Sequence, residues 1–382
     1  QAKLNEKSIN YLKETKLIFE KGLYVTESEH PKAKRIISMM NYVLEEDKKN
    51  FMAYSFRARA KNVLGKYKEA ILDATKSLSI KESFSAYYAR GFAYQNISKY
   101  RESINDFKQA LTFQPENSNV TLMKGISFLY FDNLPEALND FNQVIKINPN
   151  DAYAYSLRAD TYYELDNFKD AIKDYSNAIE IFPEYEHAYY WRGMAKYGLS
   201  DYKDSILDFD KAIAFNPNNP IYFEMRGKAK YFIDNFSGSL NDLTIAIKKD
   251  TENYSLYMFR GTSKSKLSDY EGAINDFSKA LEINPEFPYA FQARAEAKYQ
   301  LTNYEEALND ISKLLEINPK DYSYDITYAL RGRINLELGN YKKGISDFSR
   351  AIEIEQSEPY LYAYRAYLKL VGGDLKGAIK DI

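Results

Sequence analysis

Hydrophobic positions recur along the chain at helical spacing, in pairs of short stretches separated by polar residues. In the segment AYYARGFAYQNISKYRESINDFKQALTFQPEN, Tyr87, Gly91 and Tyr94 follow one another at intervals of four and three residues. After a polar break, Ser103 and Phe107 continue a second stripe with the same spacing. Apolar or small residues at i, i+4 and i+7 lie on one face of an α-helix. Two such stripes joined by a short break therefore predict a helical hairpin.

The hairpin pattern repeats with a period of 34 residues. A proline closes it at most intervals, and five further prolines fall where a helix is predicted to begin, a place where the missing amide hydrogen costs nothing. The closing prolines are Pro115, Pro149, Pro183, Pro217, Pro285 and Pro319. The prolines at predicted helix starts are Pro31, Pro135, Pro220, Pro288 and Pro359.

This period predicts nine whole hairpins and part of a tenth. Residues 1–50 are predicted to form a divergent N-terminal hairpin, with helices near 4–21 and 31–46. The eighth whole hairpin carries three extra residues, at 322–324. The predicted hairpins span residues 51–83, 84–117, 118–151, 152–185, 186–219, 220–253, 254–287, 288–324, 325–358 and, in part, 359–382.

The segments from residue 51 to 382 resemble tetratricopeptide repeats (TPR). Each has an aromatic residue, a small residue four positions later and a second aromatic that opens the second helix, followed by Ala or Ser, an aromatic, Ala and Pro. The resemblance implies an all-α fold, a right-handed superhelical solenoid of ten to eleven hairpins that runs without interruption. Pentatricopeptide repeats, which would imply RNA, are almost equally long. The proline ends and the Gly- or Ala-centred first helix favour TPR.

Charge and composition narrow the range of functions. The chain has 52 Lys and Arg against 54 Asp and Glu, so no overall basic field predicts binding to nucleic acid. It has no Cys and only two His, His30 and His187, which excludes thiolate nucleophiles and Cys-ligated zinc. No apolar run approaches the roughly 20 residues of a transmembrane helix. No P-loop, dinucleotide fingerprint or HExxH motif is present. We therefore expect neither a cofactor nor a catalytic residue in this sequence.

The two ends of the sequence lead to predictions about processing and about what covers the last hairpin. The chain starts at Gln1 rather than Met, which predicts that a signal peptide, a propeptide or other upstream sequence precedes it. Together with the absence of Cys, this start favours an exported bacterial protein, although the cytoplasm stays open. Repeat arrays generally need a polar capping helix, and none follows the last hairpin. The open end predicts further sequence, a covering partner or self-association through a second copy.

A basic residue and an aspartate recur at fixed positions in every hairpin. An Arg precedes the small residue of the first helix, and an Asp follows 16 residues later in the second. A spacing repeated in every unit favours a structural ion pair over a ligand site, and we expect it to set register, because exposed pairs contribute only about 0 to 1 kcal/mol. The pairs are Arg57 and Asp73, Arg90 and Asp106, Lys124 and Asp140, Arg158 and Asp174, Arg192 and Asp208, Arg226 and Asp242, Arg260 and Asp276, Arg294 and Asp310, Arg331 and Asp347, and Arg365 and Asp381.

In six hairpins a Lys stands one turn after this Arg, where others have an aromatic residue. The Asp is then expected to neutralise two cations, with the Lys stem packed along the hairpin. These lysines are Lys61, Lys196, Lys230, Lys264, Lys298 and Lys369.

Aromatic residues exceed what packing within the repeats explains. The chain has 36 Tyr, 22 Phe and one Trp, and more than half of them lie outside the aromatic positions of the repeat. The TPR resemblance implies that first helices line a concave face, and rings with hydroxyl groups there suit an extended peptide or an amphipathic helix. Packing between neighbouring repeats is the alternative for each residue. The predicted groove residues are Tyr153, Tyr163, His187, Tyr190, Trp191, Met194, Tyr197, Met225 and Tyr231.

The leading expectation for function is a non-enzymatic scaffold that binds a peptide or partner segment for assembly, tethering or transport. One alternative is a carbohydrate or other small ligand beside Asp160 and Glu164. Another is that these residues are the TPR part of a larger protein whose activity lies elsewhere. The carboxylate clamp of TPR co-chaperones is not expected, because no three consecutive hairpins carry its set of Lys, Asn and Arg. Partner, pathway and oligomeric state are not specified by the sequence.

Overall fold

The 34-residue period of the sequence corresponds to a series of helical hairpins in the computed structural model, which describes residues 4–20, 27–317 and 325–382. These described ranges contain no β-strand, so the all-α prediction is confirmed. The chain divides into two compact units, Gln1–Ala195 and Lys196–Ile382. Within each unit, a first helix packs against the second helix of its own hairpin and the second helix of the preceding hairpin.

The first unit begins with the divergent hairpin that the sequence predicts. A 3-10 turn, Glu27–Glu29, precedes its second helix. The helices of this unit are α1 (Glu6–Glu20), α2 (His30–Glu46), α3 (Phe51–Val63), α4 (Tyr67–Ile80), α5 (Phe84–Asn96), α6 (Tyr100–Phe113), α7 (Ser118–Tyr130), α8 (Leu134–Ile147), α9 (Ala152–Glu164) and α10 (Phe168–Ile181).

The division between the units falls inside α11 (Glu186–Gly198). The extra residues predicted at 322–324 lie outside the described residues. The second unit continues with α12 (Tyr202–Phe215), α13 (Pro220–Phe232), α14 (Phe236–Ile247), α15 (Tyr254–Lys266), α16 (Tyr270–Ile283), α17 (Pro288–Gln300), α18 (Tyr304–Ile317), α19 (Asp325–Glu337), α20 (Tyr341–Ile354), α21 (Pro359–Val371) and α22 (Leu375–Asp381). No helix in these ranges is both long and apolar enough to cross a membrane.

From α3 onward, each hairpin turn contains one residue with left-handed backbone conformation, two positions after the end of the first helix. In the turn after α5, Ser98 has φ 60°, and the amide of Lys99 donates to the carbonyl of Tyr94 at 2.9 Å. This bond satisfies a helix-end carbonyl that has no partner inside the helix. The residues with positive φ are Gly65, Ser98, Asp132, Asp166, Ser200, Asp234, Ser268, Thr302, Gly339 and Gly373.

The small residue at the centre of each first helix sets how closely the hairpin packs. A Cβ atom on Gly125 would lie 2.8 Å from the ring of Phe141, and one on Gly261 would lie 2.7 Å from the ring of Phe277. Ala58 occupies this position where Ala74 stands in place of the ring. The glycines therefore make room for the buried ring of the second helix.

The repeated Arg and Asp side chains meet within the hairpins. Arg158 donates to both carboxylate oxygens of Asp174, at 2.6 and 2.8 Å, and its third nitrogen donates to Asn142 of the preceding second helix at 2.6 Å. The guanidinium of Arg158 thus links its own hairpin to the one before. The same bidentate contact joins Arg57 and Asp73, Arg90 and Asp106, Arg226 and Asp242, Arg260 and Asp276, Arg294 and Asp310, and Arg365 and Asp381.

The remaining pairs vary this contact. Both donor nitrogens of Arg331 reach one oxygen of Asp347. Arg192 belongs to the first unit and donates to Ser176 at 3.0 Å, whereas Asp208 belongs to the second unit and contacts Lys196 at 2.7 Å. The pairing of Arg192 with Asp208 stays a prediction. All six lysines one turn after the Arg position lie 2.7 to 2.9 Å from the Asp of their hairpin.

Candidate functional site

The first unit contains a cavity of about 370 Å³ between the ends of α7 and α9 and the start of α11. Apolar and aromatic side chains share its wall with three carboxylates. The lining residues are Leu129, Tyr130, Asp132, Leu134, Asp160, Tyr163, Glu164, Tyr175, His187 and Trp191. A concave site of this kind, with few polar groups among rings, is the usual form of a binding site in proteins.

The rings of the cavity pack edge to face. The ring centroids of Tyr163 and Trp191 lie 5.0 Å apart at an interplanar angle of 73°, and Tyr163 meets Phe168 at 5.3 Å. Tyr190 meets Trp191 at 5.3 Å from the side of α11. Edge-to-face pairs of this geometry hold both rings in fixed orientations. Trp191 is thereby positioned by its neighbours while remaining part of the cavity wall.

A hydrogen-bond network fixes the carboxylate of Asp160. The hydroxyl of Tyr175 donates to Asp160 Oδ1 at 2.7 Å, and His187 Nε2 lies 3.2 Å from the same oxygen. Tyr175 is fully buried, and burial together with the Asp160 carboxylate raises the pKa of Tyr175. Tyr175 therefore stays protonated at neutral pH and acts as a donor. It stands where Phe107, Phe141, Phe209, Phe277 and Phe348 stand in other hairpins.

The cavity carries a negative charge. Asp132, Asp160 and Glu164 contribute three carboxylates, and in the described part of the chain the wall includes no Lys or Arg. Burial raises the pKa of Tyr163, which is therefore uncharged at neutral pH. Acidic groups among apolar walls concentrate a negative potential. The cavity thus suits a ligand group that is cationic or donates hydrogen bonds.

The structure brings three of the predicted groove residues together. Tyr163, His187 and Trp191 line the cavity, and Tyr190 adjoins it through its ring contact with Trp191. Tyr153 is 48% exposed and Met194 is half-buried, and both lie outside the lining residues.

The other three predicted groove residues belong to the second unit, where rings pack on one another. Tyr197 meets Tyr202 at 5.2 Å, and burial raises the pKa of Tyr197 to about 12. Tyr231 meets Phe236 at 5.6 Å and Phe259 at 5.8 Å, and Met225 is half-buried. These contacts favour the packing alternative for this group.

Sequence reasoning did not identify Tyr175 as part of the site, because a ring at its position fills the core of most hairpins. The available signal was the hydroxyl group, since a buried Tyr in place of Phe needs a hydrogen-bond partner. Asp160, 15 residues earlier, is that partner. Asp160 and Glu164 entered the sequence analysis only as candidates for a sugar site. No group of three or more His, Asp or Glu side chains in the described ranges is arranged to hold a metal ion.

Family models and solved structures show what the chain is similar to. A model described as TPR repeat matches residues 132–166 and 159–200. A model described as tetratricopeptide repeat matches residues 84–117, 186–219, 254–287, 288–321 and 327–358. No curated protein matches the chain.

Three solved structures are among those to which the chain is similar. The C-terminal part of a TPR repeat-containing protein from Cytophaga hutchinsonii is 18% identical, with a TM-score of 0.53 over 63% of this chain and 97% of that one. A tetratricopeptide repeat protein from Parabacteroides merdae is 18% identical, with a TM-score of 0.47 over 66% and 98%. YrrB, described as a TPR protein with an unusual peptide-binding site, is 23% identical, with a TM-score of 0.44 over 47% and 93%.

Proposed function

Because the chain belongs to the tetratricopeptide repeat family, whose fold is of the protein-interaction scaffold kind, we propose that the cavity around Trp191 binds a segment of a partner protein. The observation that carries the proposal is the fixed carboxylate of Asp160 beside two rings that line an open cavity. The chain acts through binding, as a non-enzymatic scaffold for assembly, tethering or transport.

The chemistry of the cavity defines the segment. Tyr163 and Trp191 offer apolar surface of the kind that dominates binding energy at protein interfaces. Asp160 and Glu164 favour a Lys or Arg side chain in the partner, because a charge-assisted hydrogen bond to a carboxylate is about twice as strong as a neutral one. We expect a segment with a cationic residue next to an apolar one.

Trp191 makes the proposal measurable, since it is the only Trp in the chain. Proteins from an extract of the source organism are captured on the full chain and on a Trp191→Ala variant. Peptides covering each captured protein are then titrated into the wild-type chain while the fluorescence of Trp191 is recorded. We expect a partner that Trp191→Ala loses, and a peptide from it that shifts the Trp191 emission.

Tyr289→Ala is the matched control, because it removes a ring that is 69% exposed and lies in the second unit. It should retain the partner. Circular dichroism melting establishes that both variants fold. Identical partners on wild type and Trp191→Ala, or saturating peptide binding without any change in Trp191 fluorescence, would contradict the proposal.

A small carbohydrate is the second candidate, because Asp160, Glu164 and the rings of Tyr163 and Trp191 line one cavity. Sugar rings stack on aromatic faces while carboxylates accept hydrogen bonds from their hydroxyl groups. Titration of oligosaccharides against the same fluorescence signal separates the two candidates. The Asp160→Asn substitution should then weaken the binding of a cationic peptide more than the binding of a neutral sugar.

A further inference from the structure

A second cavity in the first unit, of about 560 Å³, contains an arginine without a counter-ion. Arg59 on α3 has its guanidinium carbon 3.9 Å from the ring centroid of Phe19 and 5.6 Å from that of Tyr88. In the ranges that the structure describes, no oxygen accepts a hydrogen bond from Arg59 and no carboxylate pairs with it. Arg57, two residues earlier, binds both Asp73 and Asn41.

The surroundings of Arg59 leave its charge uncompensated. Burial lowers the pKa of Arg59 to about 10. Contact with aromatic faces offsets part of the cost of removing a guanidinium from water. Because Arg59 is only half-buried, its hydrogen-bond donors stay accessible to a ligand in the cavity. Ser85, on the same cavity wall, has a buried Oγ that is likewise without a partner in the described ranges. A ligand in this cavity could therefore supply the hydrogen-bond acceptor that Arg59 does not find among the described residues.

The remaining charges at this cavity neutralise each other. Lys16 and Glu20 lie 3.6 Å apart at its edge, on the exposed side of α1. Arg59 is thus the one cation among the described lining residues without a carboxylate beside it. Rings such as Phe51 and Phe84 share the wall around it with uncharged Ser, Asn and Gln side chains.

We propose that this cavity binds the carboxylate of an Asp or Glu side chain in a partner peptide, with Arg59 as its donor. The planar guanidinium matches a carboxylate with two parallel hydrogen bonds. A phosphate group carries nearly two negative charges at neutral pH, and the single unpaired cation of this cavity matches the single charge of a carboxylate better. The aromatic rings of the cavity can pack against an apolar residue next to the acidic residue of the peptide.

This site differs from a clamp built of several Lys and Asn side chains, because its one unpaired cation among the described lining residues is the guanidinium of Arg59. It is also independent of the cavity around Trp191. Arg59 and Asp160 each stand two residues after the repeated Arg of their hairpin, at Arg57 and Arg158. The same repeat position thus carries opposite charges in two cavities of the first unit.

The test is selection of a random dodecapeptide library on the immobilised full chain. We expect peptides selected on the wild-type chain to be enriched in Asp and Glu beside apolar residues, and those selected on Arg59→Gln to lack this enrichment. Changing the Glu of a selected peptide to Gln should weaken binding to the wild-type chain about 10- to 100-fold. The same change should leave binding to Arg59→Gln unaltered, and Arg59→Lys should fall between the two.

Arg101→Gln provides the matched control, since Arg101 is exposed on α6, and it should select the same acidic peptides as wild type. Trp191→Ala should also select them, which keeps this outcome separate from that of the proposed function. Melting curves identify any variant that fails to fold. Acidic enrichment that persists on Arg59→Gln, absence of such enrichment on wild type, or competition by inorganic phosphate as strong as that by glutarate would each overturn the proposal.

Discussion

The hairpins α13–α14 and α7–α8 each have a buried aspartate at the same repeat position, but its surroundings differ between them. Asp242 receives two hydrogen bonds from Arg226, at 2.6 and 2.8 Å, and a third from Lys230 at 2.8 Å. In the described ranges Asp140 forms one ion pair, with Lys124, whose Nζ lies 3.0 Å from Oδ1. The first aspartate is 3% exposed and the second 1%, so burial alone does not separate them.

The difference begins in the helix before the hairpin. Arg226 donates its third nitrogen to Asp210, 16 residues earlier, at 2.6 Å. The residue 16 before Lys124 is Lys108, which would repel a guanidinium. Six other arginines of the series find an acceptor 16 residues earlier, at Asn41, Asn142, Ser176, Thr244, Ser278 and Ser349. Arg90 finds one 15 residues earlier, at Thr75. The choice of cation in one hairpin is therefore coupled to a surface residue of the hairpin before.

Asp140 consequently keeps a poorly compensated charge. Burial raises the pKa of Asp140 to about 6, against the opposing effect of Lys124. Within the described ranges neither of its carboxylate oxygens accepts a hydrogen bond of good geometry. Phe128 stands one turn after Lys124, where Lys230 stands one turn after Arg226. The comparison indicates that two cations stabilise the buried aspartate and that one lysine is insufficient.

Replacing each aspartate by asparagine should give the largest difference in stability between the two hairpins. Asp242→Asn leaves Lys230 without a counter-charge and leaves Arg226 with Asp210 alone. We expect a loss of about 3 to 5 kcal/mol in the free energy of unfolding. Asp140→Asn removes an uncompensated charge and should increase it by about 1 to 3 kcal/mol at pH 7.5. Urea unfolding of both variants measures these changes. Losses of equal size would show that the two aspartates are held alike.

The pH dependence of stability should reveal Asp140 directly. Its pKa in the folded chain, about 6, lies above the ordinary value of 3.8, so the folded state binds a proton that the unfolded state does not between these values. The ionised carboxylate lowers stability above pH 6, and this cost disappears as the pH falls to 4. At about 1.4 kcal/mol per pKa unit, the cost approaches about 3 kcal/mol.

Urea unfolding of the wild-type chain and of Asp140→Asn is measured between pH 4 and 8. The stability of the wild type minus that of the variant isolates the contribution of Asp140 from that of other carboxylates. The difference should be most negative above pH 7 and should shift toward positive values below pH 5. A difference that does not vary with pH would contradict the raised pKa.

The repeat architecture was predictable because it depends on local periodicity. Tyr87, Gly91 and Tyr94 must share a helix face, and Arg226 and Asp242 recur at a spacing that the hairpin brings together. The bond from Arg226 to Asp210 could not be predicted in the same way, since it depends on how one hairpin packs on the next.

The two cavities were predictable only in part, for different physical reasons. A ring cluster near Trp191 follows from helical spacing, whereas the bond between Tyr175 and Asp160 joins two helices whose relative rotation the pattern leaves open. Arg59 lies against Phe19 of α1, a helix outside the 34-residue period. The contact of Arg59 with this divergent helix could not be predicted from the repeat pattern.

Restoring the regular arrangement around Asp140 should recover part of the missing stability. Lys124→Arg combined with Lys108→Asn reproduces the contacts of Arg158 with Asp174 and Asn142. We expect a gain of about 1 to 2 kcal/mol over wild type, because hydrogen bonds to charged groups contribute about this amount. Lys124→Arg alone should gain less. Lys108→Asn alone should give no gain, because the charge of Lys108 also lowers the pKa of Asp140. Equal gains from Lys124→Arg with and without Lys108→Asn would refute the coupling between hairpins.

Asp106 tests the separate contribution of the second cation. Arg90 binds both of its oxygens at 2.8 Å, but Tyr94 occupies the position of the second lysine, and burial raises the pKa of Asp106. Tyr94→Lys should lower this pKa, observed by carbon NMR of the carboxyl group, and stabilise the fold by less than about 1 kcal/mol. The reverse change, Lys230→Tyr beside Asp242, should cost a similar amount. If the pKa of Asp106 does not fall in Tyr94→Lys, the guanidinium of Arg90 alone compensates the buried charge. The cost at Asp140 then comes from the missing arginine and not from the missing second cation.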